Sequence, residues 1–92
     1  MRCRIDPDKV IWRNIDGEII LLNLASGHYY TLNKTGSFIW NVFVENKTSQ
    51  EAAEKLADQF NIPSKTAKED VLYLIVMLEK EDLILKKDED KT

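Results

Sequence analysis

The side chains that could take part in chemistry are few. The chain has one histidine, His28, and one cysteine, Cys3. Nucleophilic and acid–base catalysis need a nucleophile and a base within hydrogen-bonding reach. His28 stands in an aromatic segment with no serine or cysteine at a recognisable spacing, and Cys3 lies in a polar, mobile start of the chain. A structural zinc site usually takes four Cys or His ligands, and the three glycines are isolated rather than gathered in a phosphate-binding loop. The sequence therefore predicts no enzyme, no metal site and no cofactor.

Length and charge restrict the remaining classes of function. A chain of 92 residues with 43% hydrophobic and 32% charged side chains is typical of one globular domain. The net charge is −3, whereas a nucleic-acid-binding domain usually presents a basic face. No apolar run reaches the roughly 18 residues of a membrane span, and the first eight residues lack the apolar core of a signal peptide. We expect one cytoplasmic domain over residues 1–92, ordered from about 10 to 85, with no membrane or nucleic-acid partner.

The first half of the chain predicts an antiparallel meander of three strands. Residues 10–15 are rich in β-branched and aromatic side chains, and the Asp-Gly pair that follows them is a strong hairpin signal. Residues 18–24 form a second strand, whose apolar residues on both faces favour a central position. A turn at residues 25–27 leads to a third strand at residues 28–32.

The second half predicts three helices. Asn33 is a candidate N-cap for the first helix, Thr48 and Glu51 match a capping box for the second, and Pro63 ends the second. The expected spans are 33–45, 48–62, and from residue 64 or 66 to about 81. Residues 83–85 are expected to add a short closing strand or to pack under the sheet, and the tail from 86 to 92 to fray. The predicted fold is α+β, a three-stranded antiparallel meander followed by three helices, with a winged helix-turn-helix-like outline.

The third helix has more apolar surface than one buried face requires. Residues 71–78 are all apolar, whereas a helix buried on one side needs an apolar arc of only about 100° or somewhat more. Leu72 and Val76 lie to one side of the natural core set, and Tyr73 and Met77 lie to the other. That core set is Ala67, Val71, Leu74, Ile75 and Leu78. Either the rest of the domain covers this helix all round, or one flank is an open apolar groove that marks a partner site. A groove beside an unpaired edge strand would suit an extended peptide.

An ordered set of motifs runs along the chain. Within residues 19–40, an aromatic strand follows a glycine turn and ends in Leu-Asn, and Thr-Gly and Ile-Trp pairs follow in the first predicted helix. The C-terminal part adds Asp70-Val71, Leu74, Leu78 and Leu83-Ile84. This set, which extends from about Val10 to Leu85, resembles the PqqD-like family.

The resemblance implies a RiPP recognition element, a domain that binds the leader region of a ribosomally made precursor peptide and presents it to processing enzymes. In that family the leader adds as a strand to the third strand and lies against the third helix. The Gly-His-Tyr-Tyr-Thr-Leu-Asn segment at residues 27–33 is more similar to the stand-alone proteins of lasso-peptide clusters than to those of the quinone-cofactor pathway. That similarity implies a separate leader peptidase and a lasso cyclase as partners.

The expected leader site combines the third strand with one flank of the third helix. Tyr29 and Thr31 share one strand face and are expected to line the cleft, while the alternate residues point to the core side or its rim. The flank with Leu72 is preferred to the flank with Met77, because its side chains have no hydroxyl or flexible thioether to favour solvent contact. Glu79 continues this flank and would pair with a basic leader residue. The expected leader-binding residues are His28, Tyr29, Tyr30, Thr31, Leu72, Ile75, Val76 and Glu79.

Two other classes of function compete with leader binding. A winged-helix DNA-binding regulator needs a basic recognition helix, yet the third helix is apolar through its middle, with Lys68, Lys80 and acidic residues at its ends. Binding to duplex DNA that weakens steeply with salt would support a regulator. A redox or metal carrier needs more cysteine and histidine than this chain has.

Overall fold

The computed structural model describes residues 2–87 and contains five strands and three helices within that range. Their order along the chain is β1 (Arg2–Arg4), β2 (Val10–Ile15), β3 (Glu18–Asn23), β4 (Tyr29–Thr31), α1 (Lys34–Val44), α2 (Ser49–Phe60), α3 (Ser64–Lys80) and β5 (Leu85–Lys87). The predicted meander and the three predicted helices are therefore confirmed, with ends that differ by one or two residues.

The meander is an antiparallel sheet in the order β2-β3-β4, so β3 is the central strand, as its apolar faces predict. At the β2–β3 hairpin, Asp16 and Gly17 have φ values of 54° and 88°. Positive φ at both central residues gives the turn whose twist matches the two strands, and glycine adopts it without steric cost. On the outer face of β3, Ile20 and Leu22 are half-buried, so this face is only partly covered.

The helix ends follow the capping signals. The Asn33 side chain accepts a hydrogen bond from the N–H of Gly36 at 2.8 Å and begins α1. A Cβ atom at Gly36 would lie 3.2 Å from the Asn33 side-chain oxygen, so glycine permits this close cap. Asn61 ends α2 in the left-handed conformation, with φ 53°, and Pro63 precedes the first residue of α3.

The core lies where α1 meets the central strand and the other two helices. Ser37 joins α1 to the sheet, because its hydroxyl oxygen accepts from the N–H of Ile19 at 2.8 Å and donates to the carbonyl of Leu32 at 3.1 Å. Both hydrogen bonds are buried, where an unsatisfied polar group would be costly. The predicted core set of the third helix is confirmed, since Ala67, Val71, Leu74, Ile75 and Leu78 are all buried. In residues 2–87, no helix has the length and apolar character to cross a membrane.

A second, two-stranded sheet corrects the interpretation of the chain start. β1 pairs antiparallel with β5, with Cys3 opposite Lys86. Cys3 is 2% exposed and belongs to the core cluster, so it does not lie in a polar, mobile segment. Leu83 and Ile84 are buried and Leu85 begins β5, so the C-terminal segment both packs under the fold and adds the closing strand. Of the tail expected to fray, residues 86–87 belong to β5, and 88–92 lie outside the described residues.

The capping box of α2 predicts an acid-dependent stability. The Glu51 carboxylate accepts from the N–H of Thr48 at 2.9 Å, and the Thr48 hydroxyl accepts from the N–H of Glu51 at 3.1 Å. The hydrogen bonds from the backbone and then the hydroxyl of Thr48 lower the pKa of Glu51 below its ordinary value of 4.5. A lowered folded-state pKa stabilises the fold above the unfolded-state value, and that contribution is lost as the pH falls through the folded value.

We therefore expect Glu51→Gln, which imitates the protonated acid, to melt below the wild type at pH 7, and the difference in melting temperature to shrink as the pH falls below the ordinary glutamate pKa. Thermal melts followed by circular dichroism at a series of pH values measure this convergence. Glu54→Gln, on the same helix but outside the cap, is the matched control. A Glu51→Gln difference that stays constant down to pH 3 would show that the cap does not act through its charge.

Candidate functional site

β4 is an edge strand whose register directs the backbone of two residues away from the sheet. The N–H of Leu32 donates to a β3 carbonyl at 2.8 Å, and the carbonyl of His28 accepts from a β3 N–H at 2.9 Å. Backbone groups of alternate residues point to opposite sides of an antiparallel strand. Tyr30 therefore faces β3, whereas Tyr29 and Thr31 direct their N–H and C=O groups to the other side. Among residues 2–87, no strand pairs with that side of β4, so it can accept an added strand.

The side chains of β4 also alternate. Tyr30 lies opposite Leu21 on the core face of the sheet, and it is half-buried against the core cluster. Tyr29 lies opposite Leu22 on the outer face and is 71% exposed. The expectation that Tyr30 points to the core side is thus met in the structure. An added strand would follow the same alternation and turn every second side chain towards the core face.

A depression of about 280 Å³ lies between the end of β4, the start of α1 and one flank of α3. Leu32 and Ile39 line it on the side of the sheet and α1, and Tyr73, Leu74 and Met77 line it on the side of α3. The lining also includes polar residues, namely Thr31, Asn33, Thr35 and Asp70. We call this depression the apolar half of the cleft. Tyr73 is 78% exposed, and Met77 is half-buried against the core. This half can receive an apolar side chain.

A second depression, of about 440 Å³, lies at the opposite end of β4 and beside the end of α3. His28 and Tyr30 line it on the side of the strand, and Lys80, Glu81 and Asp82 line it on the side of the helix. We call this depression the polar half of the cleft. Because its lining includes both positive and negative side chains, it can exchange hydrogen bonds with a polar segment of peptide.

Glu81, which caps the C-terminus of α3, is hydrogen-bonded to both β3 and β4. The Tyr30 hydroxyl donates to its carboxylate at 2.7 Å, and the Asn23 side-chain amide donates to its carbonyl at 3.0 Å. The hydrogen bond to Glu81, followed by desolvation and the negative charge of Glu81, raises the pKa of the Tyr30 hydroxyl above its ordinary value of 10.0. Sequence reasoning missed both Glu81 and Asn23. The one sequence signal was an asparagine before a tight turn. The side-chain oxygen of Asn23 also accepts hydrogen bonds from the N–H groups of Ala25 and Ser26 in that turn.

The expected site residues fall into two groups in space. His28, Tyr30 and Thr31 line the cleft beside β4. Tyr29, which was expected to line it, lies instead opposite Leu22 on the outer face of the sheet, because successive side chains of a strand point to opposite faces. Leu72 and Val76 do not line it; they are 52% and 59% exposed on the flank of α3 that turns away from the apolar half. Ile75 is 1% exposed and belongs to the core, and Glu79 is exposed on the Leu72 flank. Tyr73 and Met77, which the sequence argument weighed and set second, are the side chains that share a depression with Thr31.

The described residues contain no group of three or more His, Cys, Asp or Glu side chains arranged to hold a metal ion. The cleft therefore offers backbone hydrogen-bonding groups, apolar surface and scattered charges. Such an arrangement is suited to binding an extended peptide by strand addition.

Comparison with known proteins gives one family and two similar structures. The model of the family described as coenzyme PQQ synthesis protein D (PqqD) matches residues 18–84. The structure of TbiB1 in complex with the TbiA(beta) leader peptide is 27% identical, with a TM-score of 0.85, and the match covers 94% of this chain and 99% of that chain. A lasso peptide synthetase B1 complexed with the leader peptide is 22% identical, with a TM-score of 0.83, and the match covers 94% and 100%. The comparison with curated proteins found no significant match. Both structural matches confirm the predicted fold.

Proposed function

The chain belongs to the PqqD family, and from this premise we propose that it binds the leader region of a ribosomally made precursor peptide. The observation that carries the proposal is the open edge of β4 beside the cleft, in a fold that matches TbiB1 along nearly its whole length. TbiB1 was solved with a leader peptide bound. Its similarity supports the same class of ligand here, because the binding surface needed for strand addition is present in this chain.

The leader would add to β4 as a further antiparallel or parallel strand. Its backbone would bond to the outward N–H and C=O groups of Tyr29 and Thr31, which gives affinity with little demand on sequence. Every second leader side chain would then turn towards the cleft. Side chains that lie beside His28 and beside Leu32 are four residues apart in an added strand, so one would reach the polar half and the other the apolar half.

The same geometry supports one flank of α3 as the contact surface for the leader. Tyr73 and Met77 share a depression with Thr31, while Leu72 and Val76 do not. A leader strand that lies against β4 therefore reaches the Tyr73 flank first. We propose Tyr73 and Met77 as the α3 contacts of the leader, in place of the Leu72 flank that the sequence favoured.

The proposed role is recognition and presentation, with the chemistry left to partners. The aromatic segment at residues 27–33 supports the lasso-peptide class, in which a leader peptidase and a cyclase are separate proteins. The precursor peptide and both enzymes would then be partners of this chain in the cytoplasm, and the chain itself would cut and join no bond.

The direct test is a titration with a labelled leader probe, a fluorescein-tagged synthetic peptide with the leader sequence of the precursor encoded beside this gene. Fluorescence anisotropy should show saturable binding at a 1:1 ratio. Competition by the unlabelled leader should displace the probe, while duplex DNA at low salt should not. An absence of saturable binding would exclude leader recognition, and displacement by DNA would favour the regulator.

Strand addition itself predicts a selective effect of proline. Thr31→Pro removes an N–H that faces the open edge, and edge strands tolerate proline when that N–H faces solvent. The variant is expected to stay folded and to bind the labelled leader probe about tenfold more weakly, because one backbone hydrogen bond is lost and the ring obstructs the incoming strand. Thr31→Ala, which keeps the N–H, is the control for loss of the side chain. Equal affinities of the proline and alanine variants would mean that the leader does not pair with this edge.

A further inference from the structure

The hydrogen bond between Tyr30 and Glu81 joins the two walls of the cleft. Tyr30 belongs to the edge strand and Glu81 to the end of α3, 51 positions later in the chain. Both residues line the polar half. The Asn23 amide holds the carbonyl of Glu81 from the central strand. Glu81 is thus attached to the sheet at two points, one on its backbone and one on its side chain.

The edge strand has few other attachments. β4 is three residues long, and its described strand pairing is to β3 on one side. A short edge strand with one neighbour opens more easily than the central strand. The Tyr30 ring is half-buried against the core, and its hydroxyl connects the middle of β4 to the residue that caps α3.

The separation of these two walls decides how much room an added strand has. Neighbouring strands lie about 4.7–4.9 Å apart, so β4 fixes where the leader backbone runs. The position of α3 relative to β4 then fixes the space left for the inward leader side chains. A shift of the α3 end relative to β4 therefore changes that space.

We infer that the Tyr30–Glu81 hydrogen bond sets the width of the leader cleft, and that Glu81 is a positioning residue for peptide recognition. The inference rests on the proposed function. Glu81 acts through Tyr30, because its carboxylate accepts a hydrogen bond from the Tyr30 hydroxyl. This bond keeps β4 and the end of α3 in the arrangement that leaves room for an added strand. The hydroxyl of Tyr30 therefore matters for affinity although the backbone groups of Tyr30 face β3 and not the open edge.

The test is a double-mutant cycle on leader affinity. Tyr30→Phe keeps the ring and removes the donor, Glu81→Met keeps the length of the side chain and removes the acceptor, and Glu81→Gln keeps an oxygen acceptor. Each variant is titrated with the labelled leader probe well below its melting temperature, after circular dichroism has shown that it is folded. We expect Tyr30→Phe and Glu81→Met each to weaken binding about tenfold. The double variant should bind no more weakly than either single variant, because both remove the same bond.

Rescue by the conservative variant separates positioning from general stability. Glu81→Gln is expected to bind within about threefold of the wild type, even where its melting temperature falls. If Tyr30→Phe and Glu81→Met are folded and bind like the wild type, the inference is wrong and leader recognition stands. Additive losses in the double variant would also overturn it, since the two residues would then act separately. If the wild type itself fails to bind the probe, the proposed function fails and the inference falls with it.

Discussion

Replacing Trp40 by alanine is expected to lower the free energy of unfolding by about 3–5 kcal/mol. Trp40 has 0% of its surface exposed and lies in the core between the sheet and the helices. Its ring packs edge-on against Trp12, with centroids 5.4 Å apart and an interplanar angle of 74°. Small domains have only about 5–15 kcal/mol of total stability, so this one substitution should bring the protein close to unfolding.

Trp40→Phe is the matched variant, because it retains an aromatic ring in the same place. In residues 2–87 the indole N–H of Trp40 has no hydrogen-bond partner, and a buried donor without an acceptor is unfavourable. Phenylalanine removes that donor as well as some volume, so its cost should be clearly smaller than that of alanine. Urea denaturation, monitored by tyrosine fluorescence and circular dichroism, measures the free energy of unfolding of both variants. If Trp40→Ala melts like the wild type but no longer binds the leader, Trp40 belongs to the leader-binding site and does not act by stabilising the core.

Introducing a charge on the Tyr73 flank of α3 is expected to abolish most leader binding. Tyr73 is 78% exposed, so Tyr73→Asp should fold, and its side chain lies in the apolar half of the cleft. A carboxylate there would be desolvated by an apolar leader side chain, at a cost on the order of 2 kcal/mol, which corresponds to more than a tenfold loss of affinity.

Leu72→Asp is the matched control on the other flank of the same helix. Leu72 is 52% exposed and lies outside the apolar half, so the variant should fold and bind the labelled leader probe like the wild type. Met77→Asp provides a second charge inside the apolar half, with its folding verified first because Met77 is partly buried. If Leu72→Asp loses binding while Tyr73→Asp keeps it, the leader lies on the flank that the sequence favoured.

Local signals in the sequence were sufficient for the three strands of the meander and the three helices. The Asp16-Gly17 turn, the Asn33 cap and the Thr48–Glu51 capping box each act within a few residues, so their outcome depends little on distant parts of the chain. The apolar pattern of the third helix likewise identified its core face, since a helix fixes the angle between successive side chains. The placement of a peptide site between the third strand and the third helix came from the resemblance to the PqqD-like family.

Contacts between distant residues had no such signal. Cys3 is buried because β1 pairs with β5 at the other end of the chain, and the polar residues around it gave no indication of that pairing. The hydrogen bond from Tyr30 to Glu81 joins residues 51 positions apart, and nothing near either residue selects the other. Such contacts depend on how the strands and helices pack together in three dimensions, and local sequence patterns do not reveal that packing.

The sequence by itself determined the order of the meander strands and the three helices, the core face of α3, the apolar surplus of α3 and the presence of an unpaired edge strand. Only the tertiary structure decided which flank of α3 meets that edge. Both flanks carry apolar side chains at equivalent angles from the core face, so periodicity cannot distinguish Leu72 from Tyr73. The choice is made by the rotation of α3 about its axis as it packs on α1 and α2, and that rotation turns Tyr73 and Met77 towards β4.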